Sequence, residues 1–367
     1  MAKKHKKTES EQRHPPQADP PEAGDLLLRN GDHEKKISKK KRKKGRDGSV
    51  DLEPNKENRR PTVSIALPGS IIDNAQSLVL ATRLAGEVAR AATIFRIEEV
   101  VVFDSKDALG CGAANEIEAG VDDYESGAAF LIRILRYLET PQYLRKALFP
   151  KHNSLRYVGV LPPLDAPHHL RMHEWAPYRE GVTQREKPLN TSLTLVDVGL
   201  RKNVCVNQVL EPGVRVTVAM GDDRNMEAET PRQVVSSSAP REEAGMYWGY
   251  KVRYASNLSA VVNDCPYLGG YDYLIGTSEH GQVVKSSELV IPHFRHLLIA
   301  FGGLAGLEES MEEDKGLMGK TAEDFFDVYL NTCPHQGSRT IRTEEAILIS
   351  LQFFQEPIDR AQKGSDK

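Results

Sequence analysis

Cysteine is scarce in this chain and is nowhere paired. The 367 residues hold four cysteines, which stand singly along the sequence: Cys111, Cys205, Cys265 and Cys333. Without a Cys-x-x-Cys pattern, the sequence indicates neither a disulfide framework nor a cysteine zinc site, and scattered thiols fit a reducing compartment. His169 and His173 are four residues apart, but no Glu or Cys stands at metal-site spacing from them. We therefore expect no bound metal.

Long apolar runs and the common nucleotide motifs are missing as well. No segment reaches the roughly 18 uncharged residues of a membrane helix, and the charged N-terminus lacks the apolar core of a signal peptide. No Gly-x-Gly-x-x-Gly follows the first predicted strand, and neither a Walker sequence nor a Gly-x-Ser-x-Gly elbow occurs. These absences disfavour a membrane protein, a Rossmann dehydrogenase and an α/β-hydrolase.

The formal net charge of −3 hides two parts of opposite sign. Residues 1–60 carry 18 Lys and Arg against 11 Asp and Glu, whereas the remaining chain carries 31 against 41. The first part has few aromatic or β-branched residues and contains the basic clusters 3–7 and 39–44, so we predict a disordered basic arm. Such clusters indicate nuclear targeting or phosphate binding, and a solvated tail without a specific partner is the alternative.

Residues 61–178 have the texture of an α/β domain. Periodicity and turn residues predict the following elements in this order: a strand at Thr62–Leu67, a helix at Ser77–Ile94, a strand at Glu99–Phe103, a helix at Ala128–Leu138 extended at Pro141–Ala147, and a strand at Val158–Leu161. Strands that alternate with helices predict a parallel sheet.

Residues 179–258 change to short strands separated by frequent turns. The predicted strands are Thr194–Val198, Lys202–Val206, Arg215–Met220, Gln233–Ser236 and Tyr247–Tyr254. Strands at this spacing without helices predict a small OB-like barrel, inserted into the α/β domain. Its basic residues are candidate RNA contacts: Arg232, Arg241, Lys251 and Arg253. Alternation places the neighbouring aromatics Trp248, Tyr250 and Tyr254 on one face, which reads equally well as barrel core.

The α/β texture returns at residues 259–356, where three apolar segments each run into a loop. They are Tyr273–Gly276, Leu297–Gly303 and Val328–Thr332, and the third continues through a polar run into a helix predicted at Glu344–Phe354. In α/β sheets, ligands bind beyond the carboxyl ends of the strands. The three loops are therefore expected to wall one pocket. Residues 357–367 are predicted to be a flexible tail.

Five motifs, taken in this order, carry a resemblance to a known family. They are Leu67–Ser70, Pro162–His169, Gly276–Gly281, Phe301–Gly303 and Asn331–Ala346. Together they resemble the SPOUT-class RNA methyltransferases, in particular the archaeal and eukaryotic subfamily whose animal members are described as methyltransferases of the centromere and spindle. The resemblance covers residues 61–356. It implies an α/β fold with a deep C-terminal trefoil knot, an inserted OB-like barrel, S-adenosylmethionine as cofactor, and a homodimer that acts on RNA.

The resemblance also implies site residues. The cofactor would be held by Gly276, His280, Phe301, Gly302, Gly303, Leu330, Asn331, Thr332 and Ile341. His280 stands where close relatives carry arginine. The run Gly337–Ala346 further resembles the knot helix of bacterial small-subunit ribosomal RNA uridine-N3 methyltransferases, with Glu345 in place of a threonine. That likeness points to uridine N3 in ribosomal RNA.

The methyl donor is already activated, so the protein mainly supplies positioning. Uridine N3 must lose a proton before it attacks, and a positive group beside the ring favours the anion. Arg339 and Arg342 are the catalytic candidates, with Glu344 orienting an arginine or taking the proton. The alternative is that Arg342 and Glu344 only cap the helix.

Two function classes remain open at this point. The first is an RNA methyltransferase of the nucleus or nucleolus. The second is a nuclear RNA-binding or mitotic scaffold protein at the spindle or centromere, which keeps the fold with little catalysis.

Overall fold

The computed structural model describes residues 61–104, 126–186, 193–224 and 231–363. The predicted basic arm lies outside the described residues. The described residues form eleven strands: β1 Thr62–Pro68, β2 Glu99–Phe103, β3 Tyr178–Thr183, β4 Thr194–Asp197, β5 Val204–Val206, β6 Arg215–Ala219, β7 Gln233–Val235, β8 Lys251–Ala255, β9 Tyr273–Gln282, β10 His296–Phe301 and β11 Val328–Leu330.

The same ranges contain eight α-helices: α1 Leu78–Ile94, α2 Gly127–Glu139, α3 Gln142–Leu148, α4 Ala239–Ala244, α5 Leu258–Asn263, α6 Gly306–Glu312, α7 Ala322–Phe325 and α8 Thr343–Lys363. Short 3-10 helices lie at Gly69–Asn74, Asn153–Leu155, Val158–Val160 and Lys315–Leu317. A strand predicted at Val158–Leu161 is therefore wrong. The segment is short, carries Gly159 and ends at two prolines, and Val160 is exposed.

Six strands form one parallel sheet in the order β11-β9-β10-β1-β2-β8. Both faces of this sheet are covered, which explains why its strands read as continuous apolar runs. Ile65 and Leu67 of β1 share a buried cluster with α1, α2 and α8. Ala66 points the other way and belongs to a second cluster with α5 and α6. The predicted parallel α/β sheet is confirmed.

Helix α1 begins and ends close to its predicted bounds for local reasons. The Ser77 side chain accepts a hydrogen bond from the backbone N–H of Leu80 at 3.3 Å and so caps the first turn. Alanine-rich sequence favours the helix, and its small residues let it pack closely against the sheet. A Cβ at Gly86 would lie 2.7 Å from Leu161 Cδ2, so this glycine gives the incoming segment room.

Helix α8 is longer than predicted and continues past Pro357 to Lys363. Residues 357–363, predicted as tail, are therefore helical. The C-terminal half is held by Arg360, whose Nη2 donates to the carbonyl oxygens of Ser286 and Leu289, both at 2.9 Å. Tertiary contacts override the local helix-ending signal of proline here.

The other five strands form an antiparallel sheet in the order β5-β4-β3-β6-β7. The sheet curls because Arg232, just before β7, pairs with β5 at the opposite edge. The Arg232 N–H donates to the Cys205 carbonyl at 2.8 Å, and the Arg232 carbonyl accepts from Asn207 N–H at 3.3 Å. The predicted antiparallel insert is thus a curled half-barrel filled mainly by valines.

One predicted barrel strand lies in the other sheet. The segment Tyr247–Tyr254 was expected in the insert, but β8 pairs in parallel with β2 at the edge of the large sheet. That assignment is wrong because local alternation fits a strand of either sheet. Tyr250 belongs to the core of the α/β domain, and its hydroxyl donates to the Leu135 carbonyl at 3.0 Å.

A buried ion network joins the half-barrel to the α/β domain. Arg215 of β6 contacts Glu139 at the end of α2 (Nη1–Oε2 2.6 Å) and Glu180 of β3 (Nε–Oε2 2.6 Å). Glu180 also accepts from Thr217 Oγ1 at 2.6 Å and Trp248 Nε1 at 2.7 Å. Burial alone would raise the pKa of Glu139, but Arg215 holds it far below its usual range. One guanidinium therefore neutralises carboxylates from both parts of the fold.

Replacing Arg215 with alanine should destabilise the protein by about 3 kcal/mol, because it leaves two buried carboxylates without their cation. Lys285→Ala removes an exposed pair with Glu288 and should cost under about 1 kcal/mol.

The depressed pKa of Glu139 gives stability that is present above the unfolded pKa of about 4.3 and is lost as the pH falls. As the pH falls, the free energy of unfolding measured with urea should therefore decrease more steeply for the wild type than for the Arg215 variant. Equal slopes would contradict the assignment.

Candidate functional site

The carboxyl ends of β9, β10 and β11 enclose a cavity of about 210 Å³. Its walls come from three chain segments that follow or end these strands, and from the first turns of α8. The lining residues are Thr277–His280, Phe301–Gly306, Glu308, Asn331–Cys333, Gln336, Thr340, Ile341, Thr343, Ala346, Ile349 and Ser350. The three predicted loops therefore do wall one pocket.

A register shift between β9 and β11 shapes the part of the pocket wall that β9 contributes. Tyr329 of β11 pairs with Gly276 of β9, but the next residue, Leu330, pairs with Gln282. Five residues of β9, 277–281, bulge out between these partners, and most of them line the cavity. Asn331 fastens the bulge, since its Nδ2 donates to the Glu279 carbonyl at 2.8 Å and its backbone N–H to the Gln282 carbonyl at 3.0 Å.

Two glycines in the pocket wall allow close contacts between backbone segments. A Cβ at Gly302 would overlap the carbonyl carbon of Gly306 and the amide nitrogen of Leu307 at the start of α6. A Cβ at Gly281 would lie 2.7 Å from the Asn331 amide nitrogen and overlap the Leu330 backbone. A larger residue at Gly281 would push β9 away from β11, and one at Gly302 would distort the turn that leads into α6.

Helix α8 is tied to the same loops by two hydroxyl contacts. Thr343 Oγ1 donates to the Gly302 carbonyl at 2.9 Å, and Thr332 Oγ1 lies 2.7 Å from Ser350 Oγ. Thr343 and Ser350 are buried. The helix thus forms one wall of the pocket.

A carboxylate forms the polar wall. Glu308 of α6 accepts from Ser278 Oγ at 2.9 Å, and His280 Nδ1 lies 3.2 Å from the same Oε1 atom. Burial alone would raise the pKa of Glu308, but hydrogen bonds from its surroundings lower it below the ordinary value. Glu308 is therefore ionised at neutral pH, and it gives the pocket a negative wall.

Seven of the nine predicted cofactor residues line the cavity: His280, Phe301, Gly302, Gly303, Asn331, Thr332 and Ile341. Gly276 and Leu330 do not. A Cβ at Gly276 would lie 2.6 Å from the rings of Phe326 and Tyr329, so this glycine serves packing, and Leu330 is buried in the core. Glu308 and Ser278 also line the cavity and are not among the predicted residues, although Ser278 lies within the motif Gly276–Gly281.

The three catalytic candidates have different surroundings. Arg339 is exposed and has no ion pair or hydrogen bond from its side chain to the described parts of the chain. Arg342 is exposed, and its Nη1 lies 3.5 Å from Oε1 of the buried Glu344. Burial raises the pKa of Glu344, and Arg342 lowers it in part. Helix capping is performed by Glu345, whose Oε2 accepts the Arg342 N–H at 2.9 Å.

The four RNA candidates lie away from this pocket, and three are engaged within the fold. Arg253 pairs with Glu99 at 2.9 Å, and Arg232 Nη1 donates to the Met220 carbonyl at 2.7 Å. Arg241 Nε lies 3.6 Å from Glu98 Oε2. Lys251 is exposed on edge strand β8.

Across the described ranges, no group of three or more His, Cys, Asp or Glu side chains is placed to hold a metal ion. No helix in those ranges has the length and apolar character needed to cross a membrane.

A parallel sheet with a glycine-lined cavity at its strand ends is the arrangement in which α/β proteins bind small ligands. Residues 62–354 match the family described as "Putative RNA methyltransferase". The chain therefore belongs to this family of RNA methyltransferases, and its resemblance to the SPOUT class is confirmed.

Animal relatives are similar over most of the chain. A human protein named "28S rRNA (uridine-N(3))-methyltransferase" is 50% identical over 303 residues, which are 82% of this chain and 80% of the relative. A Drosophila melanogaster protein of the same name is 45% identical over 306 residues, or 81% of this chain and 62% of the relative.

The backbone contact at Gly302 generates a prediction. Gly302→Ala should lower the free energy of unfolding by about 1–3 kcal/mol, since the added methyl overlaps the start of α6. Gly337→Ala, in the loop before α8, is the matched control. A Cβ there has nothing within 4 Å, so the cost should stay below about 0.5 kcal/mol. Urea denaturation measures both, and equal effects would show that the close approach does not matter.

Proposed function

We propose that this protein methylates N3 of a uridine in the RNA of the large ribosomal subunit, with S-adenosylmethionine as methyl donor. The observation that carries the proposal is the pocket formed by the three strand ends within the region that matches the family. The names of relatives at 45% and 50% identity support the choice of substrate and base position.

The pocket residues fit this cofactor. Phe301, Ile341, Ala346 and Ile349 offer apolar surface for a purine ring, and the backbone from Asn331 to Cys333 offers hydrogen-bonding groups beside it. The donor carries a positively charged sulfonium, which the ionised Glu308 attracts. When bound, it supplies an activated methyl group. Gly302, Gly303, Asn331, Thr332 and Ile341 are proposed to hold it, with His280 at the rim.

In detail, the fold is proposed to be a SPOUT α/β domain with a C-terminal trefoil knot and an OB-like insert. Support for the knot comes from the segment between β9 and β10, which lies across α8. Ser286 Oγ donates to the Phe353 carbonyl at 2.7 Å, and Arg360 reaches back to the Ser286 and Leu289 carbonyls. The other side of α8 packs on the core of the sheet through Ile347, Leu351 and Phe354.

The chain's own residues supply charge for the acceptor. Arg339 is uncommitted within the fold, so its guanidinium is available to favour the uridine N3 anion. Glu344 is proposed to accept the N3 proton, because a buried carboxylate with a raised pKa is a better base than an exposed one. Arg342 orients that carboxylate, since its Nη1 lies 3.5 Å from Glu344 Oε1.

A homodimer is part of the proposal. Leu304 and Ile349 line the pocket, yet both are exposed, and Leu348 beside them is exposed too. A second copy that covers these side chains would bury apolar surface and complete the pocket mouth. A ribosomal RNA substrate and the basic clusters of residues 1–60 support a nuclear or nucleolar location.

Two measurements test the function. Calorimetry should detect binding of S-adenosylmethionine to the purified protein. Mass spectrometry of nucleosides should then find 3-methyluridine after incubation with a 28S ribosomal RNA fragment. Absence of cofactor binding would favour the scaffold alternative, which keeps the fold without catalysis.

Arg339→Ala should abolish methyl transfer while cofactor affinity stays within about twofold, because the side chain lies outside the cofactor cavity. A loss of roughly 100-fold or more in turnover is expected when a charge that stabilises the reacting anion is removed. Lys320→Ala removes an exposed cation that does not line the cavity and should leave turnover unchanged. Normal turnover in the Arg339 variant would refute its role.

A further inference from the structure

A second and larger cavity, of about 590 Å³, opens beside the first. Its walls are the 3-10 turn Gly69–Asn74 with the two residues that follow it, the N-terminal half of α1, and the first turn of α8. A cofactor held in the first cavity would leave this second cavity free for another ligand.

The two cavities share one wall. Gly303, Leu304, Thr340, Ile341 and Thr343 line both of them. At Gly303 this wall is bare backbone, and a Cβ there would meet nothing closer than Pro68 Cγ at 3.4 Å. Group transfer requires donor and acceptor atoms within about 3–3.5 Å before reaction. If the first cavity holds the methyl donor, as proposed above, the second is where an acceptor could reach it.

The charges of the second cavity indicate an uncharged ligand. Arg83 Nε lies 3.1 Å from Glu87 Oε1, so that guanidinium is already paired. Arg342 lies beside Glu344, and Glu345 accepts the Arg342 backbone N–H. Three carboxylates against two guanidiniums repel a phosphate, whereas a neutral base meets no such penalty.

The remaining lining has the chemistry that recognises a pyrimidine edge. Ile71, Leu84 and Ile341 provide apolar surface for the ring faces. Asn74 and Gln76 are exposed, and neither side-chain amide has a hydrogen-bond partner among the described residues. Each amide offers two N–H donors. Uracil carries an acceptor oxygen on either side of N3, so two donors can hold the base without covering the reacting atom.

We propose that this second cavity binds the target uracil base, with Asn74 and Gln76 donating to its two carbonyl oxygens and N3 facing the shared wall. The assignment rests on the proposed methyl transfer. It adds the acceptor site and two positioning residues that belong to neither the cofactor pocket nor the loop 333–342 that carries Arg339 and Arg342.

The double variant Asn74→Ala, Gln76→Ala tests the amides in the full-length protein. Calorimetric affinity for S-adenosylmethionine should stay within about twofold. The kcat/KM on a 28S ribosomal RNA fragment should fall roughly tenfold or more, as expected for two lost hydrogen bonds. Gln352→Ala, an exposed amide of α8 outside both cavities, is the matched control and should not change kcat/KM. An unchanged kcat/KM in the double variant overturns the assignment of the amides.

A space-filling variant tests the cavity itself. Ala75 lines it, and Ala75→Trp should block methyl transfer while cofactor affinity and thermal stability are kept. Retained transfer would overturn the proposal. Loss of dimer mass in sedimentation would also overturn it, because the cavity would then belong to a second copy.

A failure of the proposed function itself remains distinguishable. If the wild type binds no cofactor or leaves the RNA unmethylated, the methyl transfer is at fault. The cavity is then judged by saturation-transfer NMR with the uncharged nucleoside uridine. Signals present for the wild type and lost in Ala75→Trp support a uracil site, and their absence from the wild type overturns it.

Discussion

The pocket depends on backbone packed against backbone at two glycines. Gly281 lies against the Leu330–Asn331 peptide, and Gly302 lies against the Gly306–Leu307 peptide. The first contact joins the ends of β9 and β11, and the second holds the loop after β10 against the start of α6, so both fix the shape of the pocket wall. A wall made of backbone is rigid and presents fixed donors and acceptors, which suits recognition of a cofactor that must be held in one pose.

Helix α8 links this wall to the rest of the fold. Its apolar face packs on the sheet, its hydroxyls bind the loops that line the pocket, and Arg360 fastens its far end to the segment between β9 and β10. The arginine-bearing loop 333–342 is thereby held at both ends, by β11 before it and by α8 after it. The loop can remain exposed and still stand beside both cavities.

Much of the architecture could be predicted from local sequence. Strands buried on both faces read as apolar runs, and Ser77 marks the start of α1, so those elements follow from residues next to one another in the chain. Strand β8 could not be assigned in this way, because its partner β2 lies about 150 residues earlier and alternation is the same in either sheet. The ion pair of Arg253 could not be predicted for the same reason, since its partner Glu99 is distant in sequence. Glu308 could not be predicted as a pocket residue, because only the fold brings it close to Ser278 and His280.

Among the described arginines, several are used by the fold, whereas Arg339 stands beside the pocket without a side-chain partner. Arg179 is buried and donates to four backbone carbonyls, while Arg215 bridges two carboxylates. Such residues are committed, and removing them costs stability. Arg339 stands on a loop fixed at both ends, yet its guanidinium has no partner in the described chain. Keeping a charge uncommitted beside a cavity gives the folded protein no stability in return. That arrangement is favourable only if the partner arrives with the substrate.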